Sequence, residues 1–220
     1  MLKLIKKMTL IVFFASVCIG FRTYTDTHLW SISNSSAAKT KLFVSWVLGS
    51  SNLKNDLPSG DALTATNPIT VNAAMSSIFS DYNNITGAYV TLVDTADPDY
   101  AAESNRRKIF ITESATDGMN AGQASFQLGA DGKIDSCEIV LSSSVFDSAK
   151  SFISTVTHEL GHCLGLDHSH DTIYAIMSYF HGNDIVRLQM DDKMGLIFLY
   201  PTDPSKAKES ATYGLSCARR

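Results

Sequence analysis

The chain has 220 residues, 45% of them hydrophobic, which is enough for one well-cored domain and short for two. Its 18 basic residues face 22 acidic ones, for a formal net charge of −4. With no basic stripe to neutralise phosphates, a nucleic-acid partner is not expected.

Residues 1–20, MLKLIKKMTLIVFFASVCIG, set Lys3, Lys6 and Lys7 before an uncharged apolar run from Met8 to Ile19. That is the layout of a cleaved signal peptide, and the run is short of the roughly 20 residues a bilayer span needs. The expectation is a secreted, extracellular protein with no membrane attachment after cleavage. The alternative is a membrane-anchored lipoprotein lipidated at Cys18, although Val17 fits a lipobox poorly. Losing the three leader lysines brings the net charge to about −7.

Residues 21–39, ending in SISNSSAAK, read as a flexible lead-in. One domain over 40–203, expected to be a monomer, and a tail over 204–220 complete the organisation. KLFVSWVLG alternates as a first strand, and SSNLKNDLPSGDALTATNP, rich in turn formers, reads as a loop. From Thr70 the apolar residues Val71, Ala74, Met75, Ile78, Phe79 and Tyr82 recur at helical spacing, with Thr70 as the cap. Strands follow at 88–94, 108–114 and 123–129, then a tight turn at GADGK and a strand at 134–143. Asp147 or Ser148 caps a second long helix on which Phe152, Ile153, Val156, Leu160, Cys163 and Leu164 keep helical spacing, and Gly165 ends it. After irregular chain comes a last, C-terminal helix. The pattern implies an α+β fold with a mainly mixed sheet.

The second helix carries HELGHCLGLDH, residues 158–168, which holds three of the chain's six histidines. His158 and His162 stand one turn apart on a single face. A left-handed turn at Gly165 lets His168 approach the same point from another direction. Three neutral imidazoles and an open fourth position are the coordination of a catalytic zinc, since structural sites close all four. Glu159, beside the first ligand, is placed to take the proton of a zinc-bound water whose pKa has fallen to about 7. It can then hand that proton to a leaving amine. Cys163 lies about 100° round the helix from His162, in line with Val156 and Leu160 on the core side. It reads as a buried, inert thiol, which leaves Cys137 and Cys217 to form the one disulfide.

HELGHCLGLDHS followed by AIMSY resembles the metzincin clan of zinc endopeptidases, and among them the matrixins. The resemblance extends to RLQMDDKMGLIFLYP, which is similar to the matrixin closing helix. It implies a zincin catalytic domain: a twisted, mostly parallel mixed sheet with an antiparallel edge strand, two long helices and a C-terminal helix. It also implies that Met177 forms a Met-turn, an apolar floor beneath the metal. The chain departs from the animal matrixin pattern in two ways. Only His28 precedes the motif, so a second, structural zinc is not expected, and the lead-in is too short for the usual propeptide and has no cysteine to cap the zinc. Tyr179, two residues past Met177, is closer to serralysins and astacins, where such a tyrosine reaches the metal and the developing oxyanion. A catalytic Tyr179 and a cleft-wall Tyr179 both remain open.

The resemblance also makes calcium a second candidate ion, with Asp131, Asp135 and Glu138 offering oxygens. His170 and His181 are expected in the cleft wall or in solvent. Asn34 and Asn84 sit in glycosylation sequons. The reading is a metalloendopeptidase whose protein or peptide substrate lies along strand 123–129 and is selected by a pocket walled by residues 178–187. Two alternatives are a non-catalytic zinc-bearing surface or adhesion protein on the same fold and a zincin acting on small or cell-wall peptides.

Overall fold

The computed structural model describes residues 22–23, 29–30, 39–49, 52–103, 106–114, 121–169, 172–179 and 185–202. The leader with Cys18, and Asn34, His28, His170, His181, Cys217 and the tail lie outside the described residues. Five strands form the main sheet: β1 (Thr40–Val47), β2 (Val90–Val93), β3 (Lys108–Ser114), β4 (Gly122–Leu128) and β5 (Ile134–Ser142). Their spatial order is β2-β1-β3-β5-β4, with every pairing parallel except β4 with β5. Parallel neighbours need long crossovers, and the helix α1 (Val71–Asn83) lies in the one between β1 and β2. β4 instead joins β5 through a tight hairpin, closed where the Gly129 N–H donates to the Lys133 carbonyl at 2.8 Å and Gly132 takes φ 74°. That connection sets β4 at the end of the sheet, running against the rest.

The helices form where the apolar spacing places them. Thr70 accepts from the Ala73 N–H at 3.1 Å, and all six stripe residues of α1 are buried. The helix α2 (Ala149–Cys163) is capped by Ser148, which accepts from the Ser151 N–H, after a 3₁₀ turn over Ser143–Asp147. Its stripe Phe152, Ile153, Val156 and Leu160 is fully buried against β4, β5 and α1. The helix α3 (Met190–Leu199) closes the domain. Among the described residues no helix is long and apolar enough to cross a membrane.

Two expectations are corrected. The lead-in is not flexible throughout: Leu29 accepts from the Ile134 N–H, Trp30 is 2% exposed, and Arg22–Thr23 pairs antiparallel with Leu166–Asp167. An indole of that size is held by the apolar area it buries, which the serine-rich composition around it hides. The disulfide also differs, because Cys163 bonds Cys137, with 5.7 Å between their Cα atoms, and Cys217 is not its partner. Cys163 does face the core, as its place on the helix requires, but the strand beneath that face is β5, and there Cys137 points up at it. Burial therefore makes the bridge instead of an inert thiol.

The bridge closes a loop between residues 26 apart in sequence, and its removal releases chain entropy in the unfolded state. The double variant Cys137→Ala/Cys163→Ala is expected to lose about 3–4 kcal/mol of stability. Calorimetric or denaturant unfolding checks this, and an unchanged midpoint counts against it.

Candidate active site

α2 presents His158 and His162 one turn apart, with ring centroids 4.8 Å from each other. The helix stops because Gly165 adopts φ 91°, a conformation that costs a residue with a Cβ. Two residues of extended chain, Leu166–Asp167, then return His168 to the same point. Its Nε2 lies 3.1 Å from the Nε2 of His158 and 3.2 Å from that of His162.

The tautomers of the two helix histidines follow from their partners. His158 Nδ1 lies 2.7 Å from the Ile176 carbonyl and His162 Nδ1 2.8 Å from the Leu166 carbonyl. Carbonyl oxygen only accepts, so both Nδ1 atoms carry the proton and both Nε2 atoms present bare lone pairs. Burial holds the His162 pKa below its ordinary value, which keeps the ring neutral. Converging ring nitrogens of this kind repel one another until a cation sits among them, so the set fits a divalent transition metal with imidazole preference. Among the described residues this is the one group of three or more such side chains with metal-ligating spacing. Asp131, Asp135 and Glu138 do not gather. Asp135 pairs with Arg106 at 3.0 Å and Asp131 accepts from the Lys133 N–H, so the hairpin acids lend no support to calcium.

Glu159 is 7% exposed, and burial pushes its pKa up to about 7, against a smaller lowering by the Ala124 N–H, which donates to it. The carboxylate is thus tied to the edge strand as well as to the helix. Contact that close is allowed by Gly122: a Cβ there would lie 2.8 Å from Glu159 Cγ and 2.7 Å from Thr155 Cγ2. The resulting cleft, about 610 Å³, is lined by residues 121–124 of the edge and by His158, Glu159, His162, His168 and Tyr179. The Tyr179 ring stacks on His168 with centroids 3.8 Å apart.

Met177 is buried against the helix, and a Cβ on Gly161 would fall 2.4 Å from its sulfur. A side chain at Gly161, between the two helix histidines, would force the Met177 thioether aside; the turn over 175–178 that carries Met177 is closed where the Ser178 N–H donates to the Ala175 carbonyl. Asp192, 1% exposed in the first turn of α3, holds that turn: it accepts from the N–H groups of Ile176 at 2.9 Å, Met177 at 3.2 Å and Gln189 at 2.8 Å. Burial raises its pKa while these donors pull it down. The expected cleft wall over 178–187 includes 180–184, which lie outside the described residues. Its far end is anchored where Arg187 forks onto Asp61 at 2.8 and 2.9 Å and reaches Asp81 at 3.2 Å. Gly122, Gly161 and Asp192 are site residues that sequence reading missed. The acid pair after Gln189 at a helix start is the one local signal that pointed to any of them.

The family model of the matrixins matches residues 30–201. This chain belongs to the matrixin family. Its sheet order, antiparallel edge and helices are those expected of a metzincin domain, and the family's metalloprotease chemistry accords with a three-histidine group beside a carboxylate. Two solved structures are similar to this matrixin at 12% identity. One, titled "GM1 bound form of the ECX AB5 holotoxin", has a TM-score of 0.47, with 90% of this chain and 95% of that one covered. The other is a hatching enzyme zinc-protease from Oryzias latipes, the medaka fish, with a TM-score of 0.41 and 82% and 98% covered. No curated protein matches the chain.

Glu159 also makes the metal-free protein sensitive to pH. Its folded pKa of about 7 exceeds the ordinary glutamate value of 4.5, so the folded state binds the proton more tightly. The stabilisation from this is complete below pH 4.5 and is lost as pH rises through 7. Comparing metal-free wild type with Glu159→Gln at each pH cancels the histidines, and the variant should gain on the order of 2–3 kcal/mol over wild type across this window. A pH-independent difference in unfolding free energy would contradict the burial of the charge.

Proposed function

We propose that this matrixin is a secreted zinc endopeptidase that cleaves extended polypeptides laid along β4. The observation that carries the reading is a buried carboxylate and three converging imidazoles in one cleft whose other wall is the end strand of the sheet. His158, His162 and His168 would hold the zinc, which when bound supplies Lewis-acid polarisation of oxygen. Glu159 takes the proton of the attacking water and returns it to the departing amine, a role that a pKa near the working pH suits. The Ala124 N–H orients its carboxylate, and burial keeps bulk water from competing for the proton. Main-chain groups of β4 pair with the substrate as an added antiparallel strand. Export is supported by the leader and by the Cys137–Cys163 bridge, which an oxidising compartment maintains.

The test is the full chain on unfolded casein, with and without a zinc chelator. Wild type should bind about one zinc per chain and lose hydrolysis on chelation. Glu159→Ala should fold, keep the metal and lose turnover by 10² to 10⁴, the range of a general base. A folded, zinc-loaded variant with unchanged turnover removes Glu159 from the mechanism. Zinc binding without cleavage of any protein or peptide favours the surface-protein alternative, and cleavage of short peptides alone favours the small-peptide one.

Tyr179 is proposed as a donor to the oxyanion of the tetrahedral intermediate, a bond complete only in the transition state. Its ring, stacked on His168 in the cleft, supports that placement. Tyr179→Phe should lower kcat by about 10- to 10³-fold with little change in KM. A wild-type kcat with altered substrate choice makes it a cleft-wall residue instead.

A further inference from the structure

Every helix leaves carbonyls at its C-terminus without an intrahelical partner, and in α2 that end lies directly against the ligand His162. Most are satisfied locally: the Leu164 N–H serves Leu160 and Gly161, and the Gly165 N–H serves His162. The next two carbonyls, of Cys163 and Leu164, are met from the far ends of the domain. The Trp30 indole Nε1 donates to the Cys163 carbonyl at 2.7 Å, and the Tyr200 hydroxyl donates to the Leu164 carbonyl at 2.8 Å. The two donors are themselves linked, because the Trp30 backbone N–H donates to the Tyr200 hydroxyl. Both side chains are buried, at 2% and 0% exposed. Each is fixed in turn: Leu29 accepts from the Ile134 N–H of β5, and the Tyr200 carbonyl accepts from the Tyr89 N–H.

These carbonyls sit at the point where the chain changes direction toward His168. One residue before them is His162, and two residues after Leu164 is the Leu166 carbonyl that sets the His162 tautomer. We propose that Trp30 and Tyr200 are positioning residues of the metal site, a paired cap that fixes the exit of α2 and so the angle at which His168 meets the helix histidines. The proposal rests on the zinc reading above. The effect of Trp30 and Tyr200 runs through the backbone of residues 163–168, whose other restraints include the Cys163 disulfide and the pairing of Leu166–Asp167 with Arg22–Thr23.

The experiment measures zinc affinity by chelator competition and, separately, the thermal midpoint of the metal-free full chain. The variants are Trp30→Phe, which keeps an aromatic ring and loses the indole donor, and Tyr200→Phe, which loses only the hydroxyl. Each should weaken zinc binding about 10-fold, the lower end of what losing groups that orient ligands costs. The double variant should weaken zinc binding further than either single one, since the two donors serve different carbonyls. Ile139→Val, in the core of β5, is the control that lowers the midpoint and leaves zinc affinity unchanged. Wild-type zinc affinity in folded Trp30→Phe and Tyr200→Phe, with metal-free and zinc-loaded midpoints falling together, would overturn the proposal. Tyr200→Phe alone decides it if Trp30→Phe does not fold. A wild-type chain that binds no zinc overturns both this inference and the function it rests on.

Discussion

The packing of α2 against the β4–β5 hairpin is the constraint on which the rest of the domain depends. One face of this helix must be apolar enough to lie on the sheet, and the neighbouring face must hold two imidazoles and a carboxylate at the edge of the same contact. The helix and strand meet closely only because Gly122 has no side chain to separate them. A Cβ at residue 122 would fall 2.7 Å from Thr155 Cγ2 and 2.8 Å from Glu159 Cγ, so a side chain there would force those two helix side chains to move.

Four polar side chains of the interior and the site are aimed by backbone. Glu159 is oriented by one N–H from the edge strand, Asp192 by three from the turn over 175–178 and the start of α3, and the two helix histidines by carbonyls. Backbone dipoles cost no rotamer entropy to hold, so they fix a side chain more tightly than another side chain of equal strength can. The Ile176–Met177 peptide shows this directly, accepting from His158 at its oxygen and donating to Asp192 at its nitrogen. A carboxylate on the last helix thereby bears on the ring of the first ligand without touching it.

Much of this was legible in the sequence, for a physical reason. Periodicity reports which face of an element is buried, and so the six-residue stripe of α1, the stripe of α2 and all five strands could be read from it. The motif spacing likewise brings His158, His162 and His168 together, because helix pitch and a glycine turn determine where they go. What stayed hidden was contact between distant segments. The partner of Cys163 depends on which β5 residue lies beneath the helix end, and that register is not written in either local stretch. Trp30 stands just before a serine-rich run whose composition suggests no structure. Gly122 and Gly161 are informative for an atom they lack, and only the neighbouring Glu159 and Met177 show why.

The tautomer lock on the helix histidines bears on how small a metal-binding unit can be made from this protein. An isolated peptide spanning 158–168 contains all three candidate ligands and the Leu166 carbonyl, but it lacks Ile176 and the Asp192 that holds the Ile176 peptide in place. His158 in such a peptide is free to carry its proton on either nitrogen, and a fraction of the population presents a hydrogen where the metal needs a lone pair. The ligand set is therefore contiguous in sequence while the site is not. Its smallest faithful unit is close to the whole folded domain.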